Sequence, residues 1–161
     1  MNEKSNRPVD WAQDVVARQQ DKLYRTALVI MRNKAEAEDV LQDVFVKLVE
    51  KSPQFESLVH ETAWLMKVTV NLCKSRLRSY WWKKTVPLLD TYPAVSKAQR
   101  DITQSILALP HNYRIAINLF YYHGYAVKEI AEITRRKEAT IRKDLTRARR
   151  MLKEFLEGDT Q

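Results

Sequence analysis

The chain has 161 residues, 45% of them hydrophobic, and carries 28 Lys and Arg against 20 Asp and Glu for a formal net charge of +8. That length holds one domain or two small ones, the positive surplus favours a polyanionic partner, and a single cysteine, Cys73, excludes an intramolecular disulfide and fits a reducing cytosol. With only Gly124 and Gly158 as glycines and long helix-period segments, an all-α fold is expected; no signal-peptide pattern and no bilayer-length apolar run is found, so no membrane insertion and a cytoplasmic location are expected.

A first helix is expected from about Val9 or Asp10 to Met31, with Trp11, Val15, Leu23, Ala27, Leu28 and Ile30 marking its buried side imperfectly. Asn33 then offers an N-cap and Glu36 follows three residues on, a capping-box pattern that opens a second helix to about Glu50. Ala37, Val40, Leu41, Val44 and Leu48 form its core stripe. On the other side Glu36, Asp39, Asp43 and Glu50 fall within about 60° of one another, with Val46 beside them. Like charges so spaced repel by roughly 0.2–0.5 kcal/mol a pair. Solvation alone would account for these acids; a docking site for a basic partner would account for their concentration on one helix of a basic protein.

Ser52-Pro53 breaks the pattern, and a loop is expected to about Val59. A third helix runs from about His60 to Tyr80 or Trp82, with Ala63, Met66, Val70, Cys73 and Leu77 on one side and Trp64 facing the interior. Lys67, Lys74, Arg76, Arg78, Lys83 and Lys84 stand against one acid, Glu61, and the segment ends in Tyr80-Trp81-Trp82. Rings beside cations suit nucleic acid, since ring faces stack on unpaired bases while charges track phosphates. The alternative is that the rings are core or linker anchors.

Residues 85–97, TVPLLDTYPAVSK, hold two prolines and no helical period, and read as a flexible linker. The chain therefore divides into helical modules at 1–84 and 98–161. Helical pattern resumes at about Ala98 and continues to Leu109. Pro110 stands where a new helix would begin, Tyr113 to His123 carries Ile115, Ala116, Leu119 and Phe120, and Gly124 offers a left-handed stop. A short apolar-patterned helix, Val127 to Ile133, then meets a tight break and a long amphipathic helix. That is the layout of a helix-turn-helix, whose second helix enters the DNA major groove. Ile141, Leu145, Ala148, Leu152 and Phe155 recur at steps of four, three, four and three and share a buried face. Ala139, Arg142, Lys143, Thr146, Arg150 and Lys153 point away from it. From Arg135 to Lys153 nine basic residues stand against Glu138 and Asp144, a cationic rod suited to phosphates and base edges. A merely solvated face, or a surface for a membrane or a calmodulin-like partner, is the alternative; the short helix before it favours DNA.

Catalysis finds no material. His60, His111 and His123 lack metal-ligand spacing, no Gly-rich phosphate loop exists, and Cys73 lies on an apolar face with no base nearby in sequence. No enzyme activity, catalytic residue, metal or cofactor is expected.

Taken together, these segments resemble a known family, the bacterial extracytoplasmic-function (ECF) sigma factors of the sigma-70 class, from about Leu23 to Leu156. AEAEDVLQDVFVKLVE (Ala35 to Glu50) resembles the family's polymerase-binding helix, and AWLMKVTVNLCKSRLR (Ala63 to Arg78) its promoter-melting helix. LALPHNYRIAINLFYYHGYAVKEIAEI followed by ATIRKDLTRARRML resembles its C-terminal domain. The resemblance implies two small helical domains joined by a flexible linker, a region 2-like one at 1–84 and a region 4-like helix-turn-helix one at 98–161. It implies docking of Asp39, Gln42, Asp43 and Val46 on the clamp helices of core RNA polymerase. It further implies contact of the loop at about Ser52 to Ser57, and of Asn71, Lys74 and Arg78, with the downstream (−10) promoter element. Ala139, Thr140, Arg142 and Lys143 would read the upstream (−35) element, with Arg147 and Arg150 on phosphates. An anti-sigma factor is an implied further partner, and the polymerase does the chemistry.

Four positions depart from the family pattern. Arg135-Arg136 occupies the helix-turn-helix turn where a Gly and then an apolar residue are usual, and a left-handed Arg costs about 1 kcal/mol there. Val70 and Ser75 stand where Arg and Asp are usual. Two other readings exist: a stand-alone helix-turn-helix regulator dimerising through its N-terminal module, or an inactive sigma-like protein that sequesters an inhibitor. The acidic helix separates the first from a polymerase subunit, since a stand-alone repressor has no use for it.

Overall fold

The computed structural model describes residues 9–80 and 97–158, and among them every regular element is helical. The chain forms two compact units, Met1–Thr85 and Val86–Gln161. The expected linker lies outside the described residues up to position 96, and Lys97 already opens a helix.

In the first unit α1 (Val9–Met31), α2 (Lys34–Lys51) and α3 (Leu58–Tyr80) pack pairwise on one another. Ala37, Val40, Val44 and Leu48 of α2 are buried at steps of three and four, as a 3.6-residue period demands, while Leu41 at the stripe's edge is half-buried. They meet Leu23, Ala27 and Ile30 of α1 and Leu65, Met66, Val70 and Cys73 of α3 in a closed apolar core. Asn33 is extended and its Oδ1 accepts the Glu36 N–H at 3.0 Å, so the helix starts where its cap stands. At the other end Ser52 turns left-handed (φ 38°), its N–H donating to the Leu48 carbonyl and its hydroxyl to that of Val49. The loop expected to reach Val59 ends earlier, because Ser57 Oγ accepts the His60 N–H at 3.1 Å and caps α3 from Leu58 onward.

The imperfect stripe of α1 has a physical reason. Gln19 and Thr26 interrupt it and are buried all the same. Facing Gln19 is Glu61 of α3, buried, gripped by Arg18 through Nε at 2.7 Å and Nη2 at 3.0 Å. Gln19 Nε2 donates to Thr62 Oγ1 at 2.9 Å and reaches Glu61 at 3.4 Å. Hydrogen bonding to Glu61 is also the main reason the Arg18 guanidinium is held above its ordinary pKa, against a smaller opposing effect of burial.

The second unit comprises α4 (Lys97–Ala108), α5 (His111–Ile117), a π-helical turn (Asn118–Tyr122), α6 (Val127–Thr134) and α7 (Glu138–Gly158). Leu107, Leu109, Ile115, Leu119, Ile130, Ile133, Ile141, Leu145 and Ala148 fill its core; Leu152 and Phe155, further along the same stripe, are half-buried. The buried Arg114 donates from Nη1 to the Leu109 carbonyl at 2.6 Å and fixes the corner between α4 and α5. Gly124 takes φ 73°, and the Tyr125 N–H closes on the Leu119 carbonyl across it, which ends the helical run as its sequence indicates.

Replacing Arg18 by Ala leaves the buried Glu61 carboxylate without its cation. The expected loss is about 1.5–3 kcal/mol, read as a lower urea midpoint of the full chain. An unchanged midpoint would mean that water replaces the guanidinium without penalty.

Candidate functional site

On α2 the acids stand on the face opposite the core. Asp39 and Asp43 are 59% and 48% exposed, and Gln42 and Val46 beside them are exposed as well. This face is not a bare cluster of like charge. Arg76 crosses from α3, donating to Asp43 Oδ2 at 2.5 Å and Glu36 Oε2 at 3.2 Å, and lying 3.9 Å from Asp39 Oδ2. Hydrogen bonding to Asp43 is the leading reason its guanidinium pKa is raised. The sequence places Arg76 with the cations of α3; the structure takes it out of that set. Five residues beyond Asn71, it points about 140° away from it and toward α2.

Asn71, Lys74 and Arg78 lie within about 60° of one another on α3. Arg78 is exposed, Lys74 is half-buried, and Asn71 Nδ2 donates to the Lys67 carbonyl at 2.7 Å. Val70 is wholly buried, so the apolar residue at this departure from the family pattern belongs to the core, while Ser75 is exposed. The loop before α3 is held by rings. Phe55 packs against Trp11 (6.5 Å between centroids), Trp64 (5.8 Å) and the edge of His60 (5.5 Å). The Glu56 N–H donates to His60 Nδ1 at 3.2 Å. Sequence periodicity carries no signal for that cluster, since it joins a loop to two helices. Trp81, Trp82, Lys83 and Lys84 lie outside the described residues.

In the second unit α6 and α7 pack together as the helix-turn-helix pattern requires. The Ala126 N–H donates to Glu129 Oε1 at 3.1 Å, opening α6. Arg135 closes it in the left-handed region (φ 57°, ψ 41°), and the N–H groups of Arg135 and Arg136 both reach the Ala131 carbonyl. Arg136 fills the place of an apolar turn residue by forming an ion pair with the buried Asp144 of α7. One of the two acids counted on the basic stretch is thereby internal, and one of its nine cations with it. Ala139, Arg142, Lys143, Thr146, Arg147 and Arg150 share one open, solvent-facing side of α7; Thr140 is half-buried. Arg149 stands apart, its Nε donating to the Tyr121 hydroxyl at 2.5 Å and its guanidinium over the Phe120 and Tyr121 rings.

Among the described residues no group of three His, Cys, Asp or Glu side chains could hold a metal ion, and no helix is long and apolar enough to cross a membrane.

The family described as Sigma-70 region 2 matches residues 15–83, and Sigma-70, region 4 matches residues 99–152. The ECF RNA polymerase sigma factor SigM of Mycobacterium tuberculosis is 27% identical over 83% of this chain and 71% of its own length. SigW of Bacillus subtilis, another ECF RNA polymerase sigma factor, is 26% identical over 89% of this chain and 87% of its own. The chain belongs to the ECF sigma factors of the sigma-70 family. Its fold is that of the sigma factor RpoE from Bartonella quintana, solved with the anti-sigma factor NepR (TM-score 0.76, 24% identity, 92% of this chain and 97% of that one). It also matches CnrH, solved with the cytosolic domain of CnrY (TM-score 0.67, 19% identity, 98% and 94%). This sigma factor thus carries region 2 on α1–α3 and region 4 on α4–α7.

The turn of region 4 gives a paired prediction for the sigma factor. Arg135→Gly relieves the left-handed strain of an exposed side chain and is expected to stabilise by roughly 1 kcal/mol. Arg136→Ala leaves Asp144 buried without a cation and is expected to destabilise by about 3 kcal/mol. Urea midpoints of the two variants should move in opposite directions; a shared direction would refute the assignment of roles within the turn.

Proposed function

We propose that this sigma factor attaches to core RNA polymerase through Asp39, Gln42, Asp43 and Val46, and to promoter DNA through its two basic faces. The observation that carries the reading is the opposition of charge. The outer face of α2 presents two half-exposed carboxylates, whereas the open face of α7 presents Arg142, Lys143, Arg147 and Arg150. Carboxylates at the rim of a contact steer and orient a basic partner. Cations on a rigid helix neutralise phosphates and reach guanine edges.

In this reading Asn71, Lys74 and Arg78 engage the downstream element. A base unstacked there requires about a few kcal/mol, supplied by contacts that the separated strand makes with protein. Ala139 and Thr140 approach the upstream element at the start of α7, where Ala139 presents little bulk to the bases. Arg142 and Lys143 read base edges, and Arg147 and Arg150 hold phosphates. The chain recruits and positions; the polymerase forms every bond, so no cofactor or catalytic residue is assigned to it. It acts in the cytoplasm, and an anti-sigma factor is a further partner. The complexes in which RpoE and CnrH were solved support that last assignment.

Two experiments test the reading. Asp39→Asn with Asp43→Asn removes the negative charge without setting a new cation against Arg76. Co-purification with core polymerase is expected to fall sharply with only a small loss of thermal stability, because the Arg76 pairs given up are largely solvent-exposed; full retention would refute the docking assignment. Arg142→Ala and Lys143→Ala are each expected to lose about 1–3 kcal/mol per base contact, measured as transcription from a promoter library. Unaltered upstream-element preference would remove them from base readout.

A further inference from the structure

Of the α7 cations, Arg149 and Lys153 lie outside the set on its open face, and Arg149 is the one most firmly held. Its Nε donates to the Tyr121 hydroxyl at 2.5 Å, and its guanidinium carbon lies 5.6 Å from the Phe120 centroid and 5.5 Å from that of Tyr121. Both rings come from the π-helical turn Asn118–Tyr122, whose closing bond runs from the His123 N–H to the Asn118 carbonyl. A single-turn π segment inserts a residue into the helical register and recurs at functional sites. Here the turn brings two successive rings to bear on the same guanidinium. Neither Arg149 nor Tyr121 is buried. The core gains little from so much exposed aromatic surface with a cation stacked on it.

The geometry points to Arg149 as a DNA-phosphate clamp of the helix-turn-helix, preset by Tyr121. The assignment rests on the reading of α7 as the DNA-contacting helix. Arg149 follows Arg142 by seven residues, so the two project within about 20° of each other. It stands about 10 Å further along the axis, close to the roughly 12 Å width of a major groove, where a helix seated by its N-terminal end passes the sugar–phosphate backbone. Its Nε is occupied by a neutral acceptor, so the two terminal nitrogens form a fork of the kind that takes a phosphate bidentately. No carboxylate neutralises it among the described residues, unlike Arg18, Arg76 and Arg136. A phosphate contact carries no sequence information, so the clamp acts on any duplex.

That last property makes the test independent of the promoter. The full-length chain is titrated with a labelled, mixed-sequence duplex of about two helical turns at several salt concentrations. Arg149→Ala is expected to reduce the slope of log K against log salt by about one counterion. Arg149→Lys keeps the charge but loses the fork and the Tyr121 bond; Tyr121→Phe keeps charge and ring and loses only the hydroxyl. Each is expected to bind about tenfold more weakly at unchanged melting temperature, near the lower end of what one charge-assisted hydrogen bond contributes. Wild-type affinity in both conservative variants would overturn the proposal and leave Arg149 a diffuse charge. A drop in melting temperature with DNA affinity intact would make the cluster a packing contact. Intact DNA affinity with weakened polymerase co-purification would assign the fork to a protein carboxylate, and likewise overturn it. Arg142→Ala with Lys143→Ala serves as reference. If that variant also binds the duplex normally, the assignment of α7 to DNA fails, and the clamp with it.

Discussion

A helix in this chain can hide only one stripe of side chains, because its units are too small to surround it. Each of α1, α2, α3 and α7 therefore buries residues at steps of three and four and leaves an outer face in water. What the protein does is written on those outer faces, and the packing of the inner ones decides how they are turned. Region 2 illustrates this directly. Val40, Val44 and Leu48 go inward, so the 3.6-residue period turns Asp39 and Asp43 toward solvent.

Once the faces are turned, ion pairs sort the charges into those that hold the fold and those left to meet a partner. Arg18 is committed to the buried Glu61, and Arg136 to the buried Asp144. Arg76 is intermediate: it joins three carboxylates that remain partly open to solvent. Its presence explains how α2 tolerates acids three and four residues apart, since a shared guanidinium offsets their mutual repulsion. It also ties the acidic helix to the helix bearing Asn71, Lys74 and Arg78, so the two faces of region 2 are held in fixed relation. In region 4 the surplus of cations over acids on α7 survives this sorting, and the open face carrying Arg142, Lys143, Arg147 and Arg150 keeps its positive character.

The turn of the helix-turn-helix shows a departure and its compensation in adjacent residues. Arg135 accepts a left-handed backbone that glycine would adopt freely, while Arg136 spans the turn to the first half of α7. An apolar residue at that point would join the two helices by burial alone. An ion pair with a buried aspartate joins them with direction as well, because the hydrogen-bonded geometry fixes how α7 is rotated about its axis. The rotation of α7 is what aims Arg142 and Lys143.

Much of this was legible in the chain itself. Helix periodicity and its punctuation are local: Asn33 caps α2, Gly124 ends the π turn, and the alternation around Ile141, Leu145 and Ala148 gives the inner face of α7 within a few residues of sequence. Charge on the outer faces follows from the same period, which is why the acidic and basic surfaces could be assigned before any coordinates. The loop before α3 ends two residues earlier than its Ser-Pro signal indicates, because Ser57 acts as a cap only once His60 is helical. The pairings of Arg18 with Glu61, Arg76 with Asp43 and Arg149 with Tyr121 link positions 43, 33 and 28 residues apart. Composition and period by themselves determined an all-helical chain with one acidic helix and one strongly basic one, since those properties depend on neighbours three and four residues away. Which cations are spoken for, and which remain available to a partner, was decided by tertiary structure alone, because a salt bridge depends on which helix packs beside which, and at what rotation.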